Sequence, residues 1–271
     1  MAPGAAATEM RPARRLTNFM QADTRALEIK VPAITLGFWL IKILATTLGE
    51  TGGDSVSMSL DLGYLVATLV FMLVFVACVV AQVSARRFHP FLYWATIISS
   101  TTVGTTLADF ATRSLGIGYA GGSTLLLALL LACFFTWYRV AGTVSVASID
   151  NPRTEWFYWL TIMFSQTLGT ALGDWTADTA GLGYLGAAAI FCCLLLTIVT
   201  LHYFTRISRV VLFWAAFVLT RPLGAVVGDF LDKPHAQGGL ELSRYVATAC
   251  LFVVIVLLVA MLPQRPADAA H

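Results

Sequence analysis

Ten side chains carry most of the polar chemistry of this chain, and they fall at fixed steps within four copies of one pattern. Asp54, Asp109, Asp174 and Asp229 occupy one step, and Glu50 lies one helical turn before the first of them. Thr46, Thr101 and Gln166 add neutral oxygens, and Lys42 and Arg221 add positive charge. Carboxylate, hydroxyl and amide oxygens are hard ligands, suited to manganese, magnesium or calcium rather than copper or zinc. No His or Cys shares their stripe. Carboxylates held close together retain protons that a bound cation would release, which is the physical basis of proton–cation exchange. The four Asp and Glu50 are therefore the expected metal ligands. Thr46, Thr101 and Gln166 are expected as secondary ligands, and Lys42 and Arg221 as charge balancers. Five acids against two bases leave a surplus of about three negative charges.

The pattern is Trp39…Gly49…Asp54, then Trp94…Gly104…Asp109, Trp159…Gly169…Asp174 and Trp214…Gly224…Asp229. Gly follows Trp by 10 residues and Asp follows Trp by 15, and the copies start 55, 65 and 55 residues apart. Residues four apart share a helix face. Stepping back in fours from Asp54 gives Glu50, Thr46 and Lys42. The other copies give Asp109, Thr105, Thr101, Ile97; Asp174, Thr170, Gln166, Ile162; and Asp229, Ala225, Arg221, Phe217. A helix with such a stripe and otherwise apolar faces turns one side to a hydrated axis or to its neighbours. Lys42 and Glu50 are two turns apart, so pairing between helices is expected, for example Arg221 with Glu50. The glycines let helices approach closely, or let a carbonyl open toward a ligand.

The elements that must position these residues are membrane helices. The 271 residues are 58% hydrophobic and 12% charged, with a mean hydropathy of +0.79, whereas a soluble domain carries about 25% charge. Stretches able to cross about 30 Å of hydrocarbon are placed at 33–54, 63–83, 91–110, 119–138, 156–175, 183–203, 209–230 and 245–262. Gly-rich turns such as Leu62-Gly63-Tyr64 join pairs of them. The expected fold is an all-α membrane protein of eight transmembrane helices, built as four helical-hairpin repeats in one orientation, with pseudo-fourfold or two-by-two packing. The repeats span 33–83, 91–138, 156–203 and 209–262. Residues 1–32 and 263–271 read as cytoplasmic tails, the first without fixed structure.

Twelve Lys and Arg lie on the side of the termini against three on the other, Arg113, Lys233 and Arg244. This bias places both termini in the cytoplasm of a bacterial inner membrane. The Trp residues then read as interfacial anchors at the inner face, and Tyr64, Tyr119 and Tyr184 as the opposite belt. Each Asp lies ~22 Å beyond its Trp along the helix, in the outer leaflet or at its edge. Cys78, Cys133, Cys192, Cys193 and Cys250 all fall in apolar segments and read as packing residues, not a disulfide set or thiolate site. His89, His202 and His235 are placed in loops.

Four tandem two-helix repeats with a T-T-x-G-E-x-x-G-D-like core, best seen in Lys42 to Asp54, resemble a bacterial multi-pass membrane-protein family catalogued as a repeat of unknown function. The resemblance covers roughly 35–262. Repeats two to four depart from the core, with Thr105, Thr170 and Ala225 in place of the Glu. The family implies architecture and location, not a substrate.

The functional expectation is a transporter of a small cation, manganese among the candidates, by proton-coupled antiport. A rival is a small organic or anionic solute bound by Arg221 and Lys42. A second rival is a scaffold or sensor whose polar stripe only locks helices together. No catalytic motif spacing is present, so an enzyme is not expected. Neither is a cofactor or a nucleic-acid partner. The expected partners are the lipid bilayer and the cation itself, with association into a homo-oligomer left open.

Overall fold

The computed structural model of the chain describes residues 29–149 and 151–267. They form eight α-helices: α1 (Leu36–Asp54), α2 (Gly63–Ser84), α3 (Pro90–Asp109), α4 (Gly118–Ala141), α5 (Pro152–Asp174), α6 (Gly183–Phe204), α7 (Arg209–Asp232) and α8 (Arg244–Met261). Local chemistry sets the starts. Thr35 accepts from the Phe38 N–H at the head of α1 (3.2 Å), and Asn151 from the Thr154 N–H at the head of α5 (3.0 Å), as N-cap oxygens do. Pro90 and Pro152 open α3 and α5, where a missing N–H leaves no bond unmade. Past the repeat Asp, α1, α3 and α5 widen into one π-helical turn, at Ser55–Ser59, Phe110–Ser114 and Trp175–Thr179. The chain then reverses through glycines such as Gly63 (φ +72°) and Gly118 (φ +71°), a conformation that a side chain would strain. Repeat four has no such turn. Its α7 stays α-helical to Asp232, and the longer connection folds back on it, with Leu240 N–H donating to Phe230 O and Leu242 N–H to Leu231 O.

The first helices of the four repeats close into a ring. Helix α1 packs on α3, α3 on α5, α5 on α7, and α7 back on α1. The second helices stand outside it, each docked on the first helix of the following repeat: α2 on α3, α4 on α5, α6 on α7, and α8 on α1. The two helices of a repeat meet mainly through the turn between them. A repeat is thus a hairpin in connectivity but not a packing unit. The arrangement is cyclic and pseudo-fourfold; it does not divide into two halves.

Small residues set how close the ring can be. A methyl group at Gly49 would overlap Thr101, one at Gly169 would overlap Arg221, and one at Gly224 would overlap Thr46. At Gly104 it would lie 2.8 Å from Gln166 Cβ. Each notch therefore receives the polar residue of the next helix, so these glycines serve close approach. A second closed ring lies at the other end of the helices. Phe38 meets Trp94 (ring centroids 5.5 Å apart), Tyr93 meets Trp159 (5.6 Å), Tyr158 meets Trp214 (6.0 Å) and Phe213 meets Trp39 (5.8 Å). The Tyr93 and Tyr158 hydroxyls share a hydrogen bond of 2.6 Å. The expectation of interfacial anchors is corrected: Trp94, Trp159 and Trp214 are buried and Trp39 partly so. Each Trp follows an aromatic that faces the axis, and the closed contacts between neighbours bury the indoles.

Five helices, α2, α4, α6, α7 and α8, are long and apolar enough to cross a membrane. The outer four expose large apolar side chains, among them Leu69 and Leu73 on α2 and Phe252 and Leu257 on α8. Such outward apolar surface suggests a membrane protein. Helices α1, α3 and α5 are more polar because the stripe lies on them, buried within the ring.

Most of the 1–32 tail lies outside the described residues. Ile29 and Val31 are buried, Lys30 Nζ pairs with Glu155 Oε2 at 2.7 Å, and Pro32 bridges to Pro266. His202 belongs to the last turn of α6 rather than to a loop.

Candidate functional site

The ring turns all four stripes inward, so the walk in steps of four becomes a stack of layers along one axis. Counted from the aromatic end, the layers are Lys42, Ile97, Ile162, Phe217; then Thr46, Thr101, Gln166, Arg221; then Glu50, Thr105, Thr170, Ala225; then the four Asp. Every one of these sixteen side chains is buried, none more than 3% exposed.

The Asp layer splits into two pairs. Lys233 Nζ lies 2.5 Å from Asp54 Oδ2 and 3.1 Å from Asp229 Oδ1. Arg113 Nε lies 2.9 Å from Asp109 Oδ1, and its Nη2 lies 3.2 Å from Asp174 Oδ2. Each cation thus joins acids of adjacent repeats, four with one and two with three. Asp54 Oδ1 and Asp174 Oδ1 are buried without a donor. The Arg113 side chain is 31% exposed and also donates to the Tyr64 hydroxyl (3.4 Å). Burial works against the Lys233 charge, but Asp229, Asp54 and Asp232 outweigh it and hold its pKa above that of an ordinary lysine. Asp109 and Asp174 likewise outweigh burial at Arg113 and raise its pKa. Both cations stay charged throughout the physiological range.

Neither cation was assigned to the site from sequence, although the signal was present. One further step of four beyond each Asp gives Met58, Arg113, Asp178 and Lys233. The fold-back loop of repeat four holds Lys233: Glu241 N–H donates to Lys233 O at 3.0 Å, and a methyl group at Gly239 would overlap that carbonyl. These two cations correct the expected charge surplus, which falls to about one negative charge when they are counted with Lys42 and Arg221.

One layer inward, Arg221 Nη2 reaches Glu50 Oε2 (2.9 Å), Thr105 Oγ1 (2.5 Å) and Thr170 Oγ1 (2.6 Å). Its Nη1 donates to Thr46 O at 3.2 Å, and Thr105 Oγ1 donates to Glu50 Oε2 at 3.2 Å. All four repeats therefore meet at one guanidinium, and the expected Arg221–Glu50 pairing is present. The Thr46 and Thr101 hydroxyls donate to helix carbonyls, to Ile43 O and Thr220 O and to Ile98 O and Ala45 O respectively. Both oxygens lie in the glycine notches of neighbouring helices, Thr46 at Gly224 and Thr101 at Gly49. Lys42 forms no ion pair among the described residues; its Nζ stands 4.1 Å from the centroid of the Phe217 ring.

Carboxylate oxygens of Glu50, Asp54 and Asp229 lie within 4.8 Å of one another, close enough to share one metal ion. Asp54 and Asp229 are the stripe aspartates of repeats one and four, and Glu50 lies one turn inward of them. Asp109 and Asp174 are not in that group. The set is all-oxygen and buried, which fits a hard divalent cation. Two of the three, Asp54 and Asp229, are the acids that Lys233 pairs with, and Glu50 is paired with Arg221.

A family model described as Repeat of Unknown Function (DUF347) matches residues 37–88, 92–143, 157–208 and 212–263, and the chain belongs to that family. Each match holds one ring helix and the outer helix that follows it. No curated protein and no solved structure matches the chain.

Proposed function

We propose that this family member spans the bacterial cytoplasmic membrane eight times, with both termini inside, and moves a small cation along the axis of its helix ring in exchange for protons. The observation that carries this reading is the Glu50–Asp54–Asp229 cluster, three buried carboxylates within reach of one ion. The ring surrounds the cluster with protein, and the outer helices carry the lipid-facing surface. All eight helices then cross the bilayer, the three polar ones within the shelter of the others. The excess of Lys and Arg on the side of the termini orients the aromatic ring toward the cytoplasm and the Asp layer outward.

The oxygen ligands favour manganese, magnesium or calcium. Lys233 holds the place of a cation while none is bound, so the acids are never left without a positive partner. Arrival of a divalent ion displaces the ammonium from Asp54 and Asp229, and a proton held among the crowded carboxylates of Glu50, Asp54 and Asp229 passes to water as the ion takes their oxygens. The aromatic ring closes the inner end and must open for passage.

Thermal stabilisation of the detergent-purified chain by a panel of cations tests the binding half of this reading. A saturable shift with a hard divalent ion, lost in Asp54→Asn/Asp229→Asn, supports it. Absence of a shift with every cation, with the variant only less stable, would leave the stripe a device for locking helices.

A further inference from the structure

Below the guanidinium that joins the four repeats, three buried N–H donors find no acceptor. They are Lys42 Nζ, Gln166 Nε2 and Arg221 Nε, and the Gln166 Oε1 acceptor is likewise unpaired. All three residues are completely buried, and buried donors of this kind are rarely left unmet. Arg221 lies on α7, which packs between the α1 of Lys42 and the α5 of Gln166. The Arg221 stem lies in the notch at Gly169, three residues on from Gln166. Arg221 Nη1 donates to Thr46 O, one turn above Lys42. Lys42 Nζ lies over Phe217, one turn below Arg221.

The charges at this level do not balance. Glu50 pairs with Arg221 through Nη2, and among the described residues no acid pairs with Lys42. A protonated Lys42 beside Arg221 is therefore a buried cation without a counter-charge, which is costly away from water. One acceptor carrying one negative charge would satisfy the three donors and neutralise the excess. Water would satisfy the donors but not the charge.

We propose that Lys42, Gln166 and Arg221 form a binding site for a small monovalent anion of halide size on the axis, one layer inside the carboxylate cluster. Gln166 Nε2 and Arg221 Nε donate to the anion, Lys42 supplies the charge, and Arg221 Nη2 links the site to Glu50. The anion site does not rest on the cation reading, since none of its three donors belongs to the Asp layer.

The test is the melting of the purified full chain in sodium bromide or sodium chloride against sodium gluconate, at equal ionic strength and with divalent ions chelated. A saturable rise in the melting temperature with either halide is expected in the wild type. In Lys42→Met and in Gln166→Leu the half-saturating concentration should rise at least tenfold. Identical melting of the wild type in halide and gluconate would overturn the proposal without recourse to any variant. So would an unchanged halide response in Gln166→Leu, which decides the matter if Lys42→Met does not fold.

Discussion

Lys233 Nζ lies 2.5 Å from Asp54 Oδ2, so a lysine of repeat four neutralises the acid of repeat one. It also reaches Asp229 one turn back on its own helix. The same two acids, with Glu50, are the ones close enough to hold a metal ion. A tethered cation and a soluble one would therefore compete for the same two carboxylates. Removing the tethered one should favour the other. In Lys233→Gln, the affinity for a hard divalent cation should rise about tenfold or more, which corresponds to about 1.4 kcal/mol. Without the cation the variant should melt lower, because two buried carboxylates lose their partner. Titration of the melting temperature with manganese, wild type beside variant, checks both parts.

The Lys233 pairing also has a pH signature. Its folded pKa lies above that of an ordinary lysine. The lysine's contribution to stability is then fully present below the unfolded pKa of about 10.4 and is lost as pH rises through the folded value. The gap in melting temperature between wild type and Lys233→Met should persist at moderately alkaline pH. It should narrow only above about pH 10.4, as a pH series on the two proteins would show.

Arg221 is the joint of the ring. Arg221→Met leaves Glu50 buried without its charge partner, and loss of one member of a buried pair destabilises by about 3–5 kcal/mol. Arg221→Met/Glu50→Leu removes both charges and should recover much of that loss. A double-mutant cycle read by thermal or denaturant unfolding gives the coupling directly.

The notch glycines separate packing from chemistry. Gly49→Ala and Gly224→Ala place a methyl group against Thr101 and Thr46, and overpacking of this kind typically costs about 1–3 kcal/mol. At Gly52, on the same helix as Gly49, the nearest atom to a new methyl is Thr248 Cγ2 at 3.5 Å, an ordinary contact. Gly52→Ala should therefore be neutral or slightly stabilising, since Ala is the better helix former by roughly 0.5–1 kcal/mol. The melting temperatures of the three variants, measured together, decide whether the notch or glycine itself matters.

Much of the site was legible because the repeat registers four helices at once. A single helix with Asp54, Glu50, Thr46 and Lys42 at steps of four shows only a polar face. Four such helices with the same register imply layers, and the structure contains those layers. Arg113 and Lys233 were missed because each lies past the end of its apolar stretch, where it counts as loop charge. Yet each continues the step of four that leads to the Asp. The aromatic ring was misread for a related reason: a Trp near a helix end looks like an interfacial anchor unless its neighbour on the next helix is known. Docking of each outer helix on the following repeat left no local trace, because the choice is made by shape between segments far apart in the chain.

The most direct measurement is manganese uptake into proteoliposomes driven by an imposed pH gradient, comparing wild type with Asp54→Asn/Asp229→Asn. Proton-coupled transport through the Glu50–Asp54–Asp229 cluster should give gradient-dependent uptake in the wild type and background flux in the variant, with the variant still folded by thermal melting. Equal uptake by the two proteins, or none by a folded wild type with any hard divalent cation, would contradict it.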